Sequence, residues 1–323
     1  MTPFIGFTIQ CARAYALSKP GTFGRYMNSD FRIGVFDVCR ISSIKKPVDA
    51  IWETIDAVSR VEVLGYSRYW LGEHHTKDTA YSCPEILVPV LAGVTNRIRI
   101  GTTSLLRYRM PFRLASDFRL LETVFPNRID LGIARGNVVP EVAKLLNESD
   151  PGVVYEDKVG ELVGFLQGSG SIAAFPRGVA PPEIWMLGSA RTSMILAAKY
   201  GMAFCLAHFL SARSAPPAAN IVGEYRTRFS ELSAGVLQPK WSIAVAGVCA
   251  ETEDIARRLA ANVVGFSPSM VGTPSQCRDL FDGLRAAYET NEFIFLDVCD
   301  RFEDRMQSYA LLAEAMGLGD SRA

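Results

Sequence analysis

Histidine is scarce. The 323 residues contain three, two of them adjacent, which is too few to build a histidine-rich metal site. Seven cysteines (11, 39, 83, 205, 249, 277 and 299) are odd in number, widely spread and without a C-x-x-C pair. That pattern suits free thiols in a reducing compartment, so the expected setting is cytoplasmic. Neither sign of charge is in excess: Lys+Arg and Asp+Glu both number 34. A dedicated nucleic-acid binder, usually basic, is not expected. No apolar run approaches the roughly 18 residues of a spanning helix, so no membrane segment is expected either. There is no G-x-x-x-x-G-K-[ST], H-E-x-x-H or G-x-S-x-G motif. Gly168-Ser-Gly-Ser-Ile-Ala fits G-x-G-x-x-A in letters, but it follows a helical pattern rather than a strand and reads as a turn.

Residues 1–29 stand apart. They carry Arg13, Lys19 and Arg25 and no acid, and their apolar stretch is interrupted at Gln10, Cys11 and Arg13. They read as a poorly ordered N-terminal extension, with a transit-type targeting segment or an early start before Met27 as alternatives. Residues 30–323 read as one domain.

Within that domain apolar runs and helical periods alternate. Strands are expected over 31–35, 68–71, 98–101, 129–133, 184–187, 202–205, 241–248 and 293–297. Helices are expected over 47–64, 84–94, 111–125, 155–166, 189–200, 219–232, 251–264 and 301–316. Short apolar strands without period-2 alternation are what a parallel sheet covered on both faces demands. Eight strand–helix units predict a closed (β/α)8 TIM barrel. The alternative, an open doubly wound sheet, usually has a glycine-rich loop after its first strand, and residues 36–43 contain no glycine.

In a barrel, chemistry collects at the carboxyl ends of the strands. Reading just past each strand gives Gly72-Glu73-His74-His75, Gly101-Thr102-Thr103-Ser104, Ala134-Arg135-Gly136, Gly188-Ser189-Ala190-Arg191-Thr192 and Ala207-His208-Phe209. Ser189 and Thr192 sit where a strand becomes a helix, as ordinary caps or as part of an anion site. Arg135 needs an anionic partner, which is either a carboxylate or a ligand. Adjacent His74 and His75 must point to opposite faces, so one can face a pocket while the other packs away. Glu73 is placed to orient one of them or to pair with an arginine, and His208 reads as a packed histidine. Phe36, Tyr108, Met110 and Phe209 suggest an apolar wall.

The segments YWLGEHH (69–75), TNRIRIGTTSLLRYRMPFRLASDFRLLETVFPNRIDLGIARG (95–136), EIWMLGSARTS (183–193), FCLAHF (204–209) and RMQSYALLAEAMGL (305–318) together resemble the luciferase-like monooxygenases. The resemblance runs from about residue 31 to residue 318. It implies a barrel that takes reduced FMN as co-substrate and inserts one atom of O2 into a small organic substrate through a C4a-peroxyflavin, with a separate NAD(P)H-flavin reductase supplying the flavin. It implies His74 as the catalytic histidine. It implies Arg135, Gly188, Ser189 and Thr192 around the flavin phosphate, and Thr103 and Ser104 under the ring, where relatives often have a non-proline cis peptide. It also implies a homodimer. Coenzyme F420 in place of FMN, with hydride transfer and no O2, is the alternative in the same superfamily; a flavin binder without turnover is another. Three positions depart from the pattern. Ala134 stands where bacterial luciferase has a reactive cysteine, Met110 where relatives often have histidine, and the chain before Val271 is short.

Overall fold

The computed structural model describes residues 31–42, 45–136, 139–146, 155–168, 172–211, 219–233, 237–261 and 268–320. The expected extension over 1–29 lies outside them. The strands are β1 (Arg32–Asp37), β2 (Arg68–Gly72), β3 (Arg99–Leu105), β4 (Ile129–Ala134), β5 (Glu183–Gly188), β6 (Ala203–Ala207), β7 (Trp241–Cys249), β8 (Met270–Gly272) and β9 (Glu292–Asp297). All pairings among these strands are parallel. The order β6-β5-β4-β3-β2-β1-β9-β7 closes on itself through β6–β7, giving the eight-stranded barrel. The short β8 stands outside that closure. It pairs with the end of β7, Gly247↔Met270 through Cys249↔Gly272, while the body of β7 pairs with β9.

The helices are α1 (Pro47–Val63), α2 (Val88–Gly93), α3 (Pro111–Val124), α4 (Pro140–Leu145), α5 (Tyr155–Gln167), α6 (Arg191–Lys199), α7 (His208–Ser211), α8 (Ala219–Leu232), α9 (Glu253–Ala260), α10 (Pro274–Tyr288) and α11 (Phe302–Met316). Proline opens α1, α3, α4 and α10, where its missing N–H costs nothing. The expected helix over 84–94 is split into a 3-10 turn, Pro84–Ile86, and α2, because Pro89 falls inside it. α1 buries Ala50, Thr54, Ala57, Val58 and Val61, while Val48 near its start is exposed. Small residues let this helix approach the barrel closely enough for the Thr54 hydroxyl to donate to Asp37 at 2.8 Å.

Two sets of side chains leave the strands. One set, including Ile33, Tyr69, Leu71, Ile100, Leu131 and Phe295, packs outward under the helices. The other lines the lumen and includes Phe36, Trp70, Trp185, Cys205, Ala244 and Ile294. At the amino end of the strands the lumen is plugged by charge. Asp130 has no exposure; its Oδ2 accepts from Arg68 Nη1 at 2.7 Å and from Trp70 Nε1 at 2.9 Å, and its Oδ1 accepts from Arg99 Nε at 2.7 Å. Arg68 also reaches Glu183 (3.2 Å) and Glu292 (3.4 Å), and its guanidinium lies 4.7 Å from the Trp185 ring centroid. Above it Trp70 and Trp185 meet edge to face at 5.4 Å. The lumen is therefore filled at the amino end, and a site within it has room only toward the carboxyl end.

Removing one partner of such a plug strands the rest without compensation. Asp130→Ala is expected to lower stability by about 3–5 kcal/mol, read from urea unfolding. A loss under about 1 kcal/mol contradicts this reading.

Candidate functional site at the barrel mouth

The carboxyl ends of β2 to β5 stand side by side. The register pairs Gly72 with Thr103, Leu105 with Ala134, and Ala134 with Leu187. His74, Thr103, Arg135 and Ser189 thus emerge at one end of adjacent strands, with Thr192 in the first turn of α6.

Arg135 is exposed and makes no ion pair with a described carboxylate. Its guanidinium lies 5.9 Å from the Tyr155 ring centroid. A carboxylate partner, weighed for it from sequence, is absent among the described residues. Ser189 is half-buried and Thr192 exposed, and neither hydroxyl is tied to another described residue. Ala190 precedes α6 without a side-chain cap, so the first N–H groups of that helix are open. Arg191 turns away to Glu224, with contacts of 2.7 and 2.5 Å. Bonds from Arg191 and Arg228 hold the Glu224 carboxyl down at about 2, so that acid is neutralised before it can repel an anion. Gly188 faces α6: a Cβ there would lie 2.5 Å from Ser193 Oγ, so any larger residue would push the helix start off the strand end.

Strand alternation separates Thr103 from Ser104. Thr103 turns toward the lumen, where its Cγ2 would lie 3.5 Å from a Cβ at Gly132. Ser104 is fully buried on the helix side, its Oγ 2.9 Å from Thr102 Oγ1. The Ser104 side chain is therefore directed away from the mouth, and only its backbone borders it. The cis peptide among the described residues is Phe175–Pro176, and the bonds at 103–105 are trans.

The two neighbouring histidines lie just past the end of β2. His75 Nε2 lies 2.8 Å from Glu73 Oε1, and its ring meets Tyr108 edge-on at 5.2 Å. Glu73 and His75 thus share the face turned from the lumen. Alternation continued past Gly72 would give His74 the other face, that of Trp70 and Gly72. Burial lowers the His74 pKa, helped by Arg40 and His75 and opposed by Asp78, so its imidazole is neutral at neutral pH. His208 packs edge-on to Tyr288 at 6.0 Å, as expected for a histidine in the packing layer. Phe36 and Phe209 stack at 6.3 Å in the lumen, as an apolar wall requires. Tyr108 does not join them: its hydroxyl accepts the Val139 N–H at 3.0 Å. Met110 is 75% exposed. Sequence reading passed over Arg109, which bridges Glu73 and Glu85 at 3.1 Å each. Nothing in its spacing distinguishes it from Arg107 two residues earlier.

An eight-stranded parallel barrel, filled with side chains at one end and carrying Arg135, Ser189 and Thr192 at the rim of the other, is an α/β barrel of the TIM type. The chain belongs to the luciferase-like monooxygenase family, whose model matches residues 31–293. It is 30% identical over 332 residues to the uncharacterised protein YwcH of Bacillus subtilis (strain 168), covering 88% of this chain and 98% of that protein. Among solved structures, apo-MsnO8 superposes with a TM-score of 0.78 at 26% identity, covering 89% of this chain and 99% of the other. Two more distant structures share the fold. One is the oxygenating constituent of 3,6-diketocamphane monooxygenase from Pseudomonas putida, in complex with FMN (TM-score 0.69, 16% identity, 88% and 98% covered). The other is an F420-dependent secondary alcohol dehydrogenase (TM-score 0.63, 13% identity, 90% and 99% covered). No helix among the described residues is long and apolar enough to cross a membrane, and no group of metal-ligating side chains occurs among them.

Beside the mouth, Asp297 ends β9. Its Oδ1 accepts the Cys299 N–H at 2.8 Å while Oδ2 has no partner. Burial pushes this carboxyl up to about 6. The folded pKa lies above the unfolded one, so the group's contribution to stability is complete below about pH 4 and is lost as pH rises through 6. The advantage of Asp297→Asn over wild type should therefore grow from pH 4 to pH 7 and then level off, by at most about 3 kcal/mol. Urea midpoints at five pH values measure it; a flat difference curve contradicts the shift.

Proposed function

We propose that the chain is a monooxygenase that takes reduced FMN as co-substrate and acts on a small organic substrate with incorporation of one oxygen atom from O2. The observation that carries this reading is Arg135, an exposed guanidinium that pairs with no carboxylate among the described residues, set beside the open amino end of α6 with the hydroxyls of Ser189 and Thr192, which no described residue engages. Phosphate is the anion such a set of donors fits: one fixed cation, two hydroxyls and free helix N–H groups. These residues would hold the phosphate tail, and Gly188 lets α6 start close enough to share it. Thr103 and the backbone of Ser104 would border the ring. Bound reduced flavin supplies the electrons that activate O2.

The remaining work falls to the protein. Phe36 and Phe209 keep water from the lumen side of the reacting centre. A neutral His74 imidazole can accept or donate a single proton there, which matches general acid–base work near neutral pH. A separate NAD(P)H-flavin reductase is the proposed source of reduced flavin. The six free thiols among the described residues fit a reducing, cytoplasmic setting. A homodimer is proposed as well: Ile86, Val90 and Val94 are exposed at four-residue spacing around α2. Sedimentation should then report twice the chain mass.

Equilibrium titration with FMN, riboflavin and F420 tests the reading. FMN should bind, and Arg135→Ala should weaken it roughly tenfold or more while riboflavin affinity stays unchanged. His74→Ala should retain FMN within about threefold yet lower oxygenation by about 10²-fold or more. Preference for F420 over FMN replaces this reading with the deazaflavin oxidoreductase. Binding without turnover in wild type, with His74→Ala silent, points to a flavin carrier. No binding of either cofactor overturns it.

A further inference from the structure

Glu73 takes no direct part in the site, yet its carboxylate is 2% exposed and meets three donors from three places. Oε1 lies 2.8 Å from His75 Nε2. Oε2 accepts the Leu105 N–H at 2.8 Å and lies 3.1 Å from Arg109 Nη2. Arg109 is anchored in turn on Glu85 and on the Ser82 carbonyl.

Two paths lead from this carboxylate to the stretch that carries Arg135. The first runs through Leu105, the last residue of β3. A Cβ at Gly136 would lie 2.5 Å from Leu105 Cδ2, and Gly136 holds a φ of +61° that side chains rarely adopt. Residue 136 can therefore sit against Leu105 only as glycine, and Arg135 leaves its strand from a point that Leu105 sets. The second path runs through His75 to the edge of Tyr108, whose hydroxyl accepts the N–H of Val139, four residues past Arg135. Both ends of the turn after β4 thus lean on groups that Glu73 holds. On its other side, Glu73 is bonded through the chain to His74.

Resting on the flavin reading above, we propose that Glu73 is a positioning residue that sets Arg135 and His74 relative to each other by locking the ends of β2 and β3. A buried carboxylate is expensive, and one that merely filled space would be replaced by an apolar side chain without loss. Here it satisfies a strand-end N–H and a guanidinium that no apolar group could satisfy.

The test compares wild type, Glu73→Gln, Glu73→Ala and Leu105→Ala in FMN and riboflavin titrations, with hydrogen exchange of the cofactor-free proteins alongside. Glu73→Gln keeps an acceptor for the Leu105 N–H and should hold the FMN-to-riboflavin affinity ratio within about threefold of wild type. Glu73→Ala should lower that ratio roughly tenfold, and Leu105→Ala, which leaves the ion pair intact, should do the same. Exchange at Leu105 and Val139 should quicken in Glu73→Ala by about tenfold or more. An unchanged ratio in a folded Glu73→Ala overturns the proposal; if that variant does not fold, an unchanged ratio in Leu105→Ala does. Should wild type bind no flavin, the functional reading fails by itself. Exchange then decides on Glu73: quickening at both amides upholds its hold on the strand ends, and unaltered exchange refutes it.

Discussion

Asp130 accepts hydrogen bonds from Arg68, Trp70 and Arg99 at zero exposure, and that convergence determines what the lumen can be. A charge removed from water is tolerated only if its lone pairs are used, and here both oxygens are. The cost is met at the amino end of the strands, where Glu183 and Glu292 balance the second arm of Arg68. The two indoles rest on this layer. Space within the lumen is thereby left at the carboxyl end, where the strand-end polar residues emerge.

At that end, neighbouring residues of one turn face different environments. Glu73 and His75 bond to each other, whereas burial lowers the pKa of the His74 imidazole. Two adjacent histidines are thus separated into different surroundings. Period-2 alternation, rather than any special sequence around them, predicts such a separation.

The eight closing strands could be read from sequence because both faces of each are covered, which leaves short unbroken apolar runs such as IWML and FIFLD. Strand ends were harder. β3 continues to Leu105, four residues beyond expectation, because Thr102 to Ser104 are polar yet pair with β4 through Ala134. α10 escaped the pattern although Thr273 and Gln276 form a reciprocal cap and Cys277, Phe281, Leu284 and Tyr288 lie on its buried face. Its intervening charges obscure the period. Which residues gather at the mouth was legible from the rule that barrel loops carry chemistry. That Ser104 faces away and that Met110 lies in solvent was not, since a single-residue change of phase or the splay of one turn decides each. The expected helix over 251–264 runs as α9 from Glu253 to Ala260, with Thr252 and Ala261 as its caps, and 262–264 lie outside the described residues.

Because β8 hangs on the tip of β7 instead of joining the ring, the connection that leads into it carries no share of the barrel's register. Evolution can lengthen or trim that connection without disturbing a single closing strand. A shorter or longer stretch ahead of Val271 is thus compatible with the same eight-stranded ring.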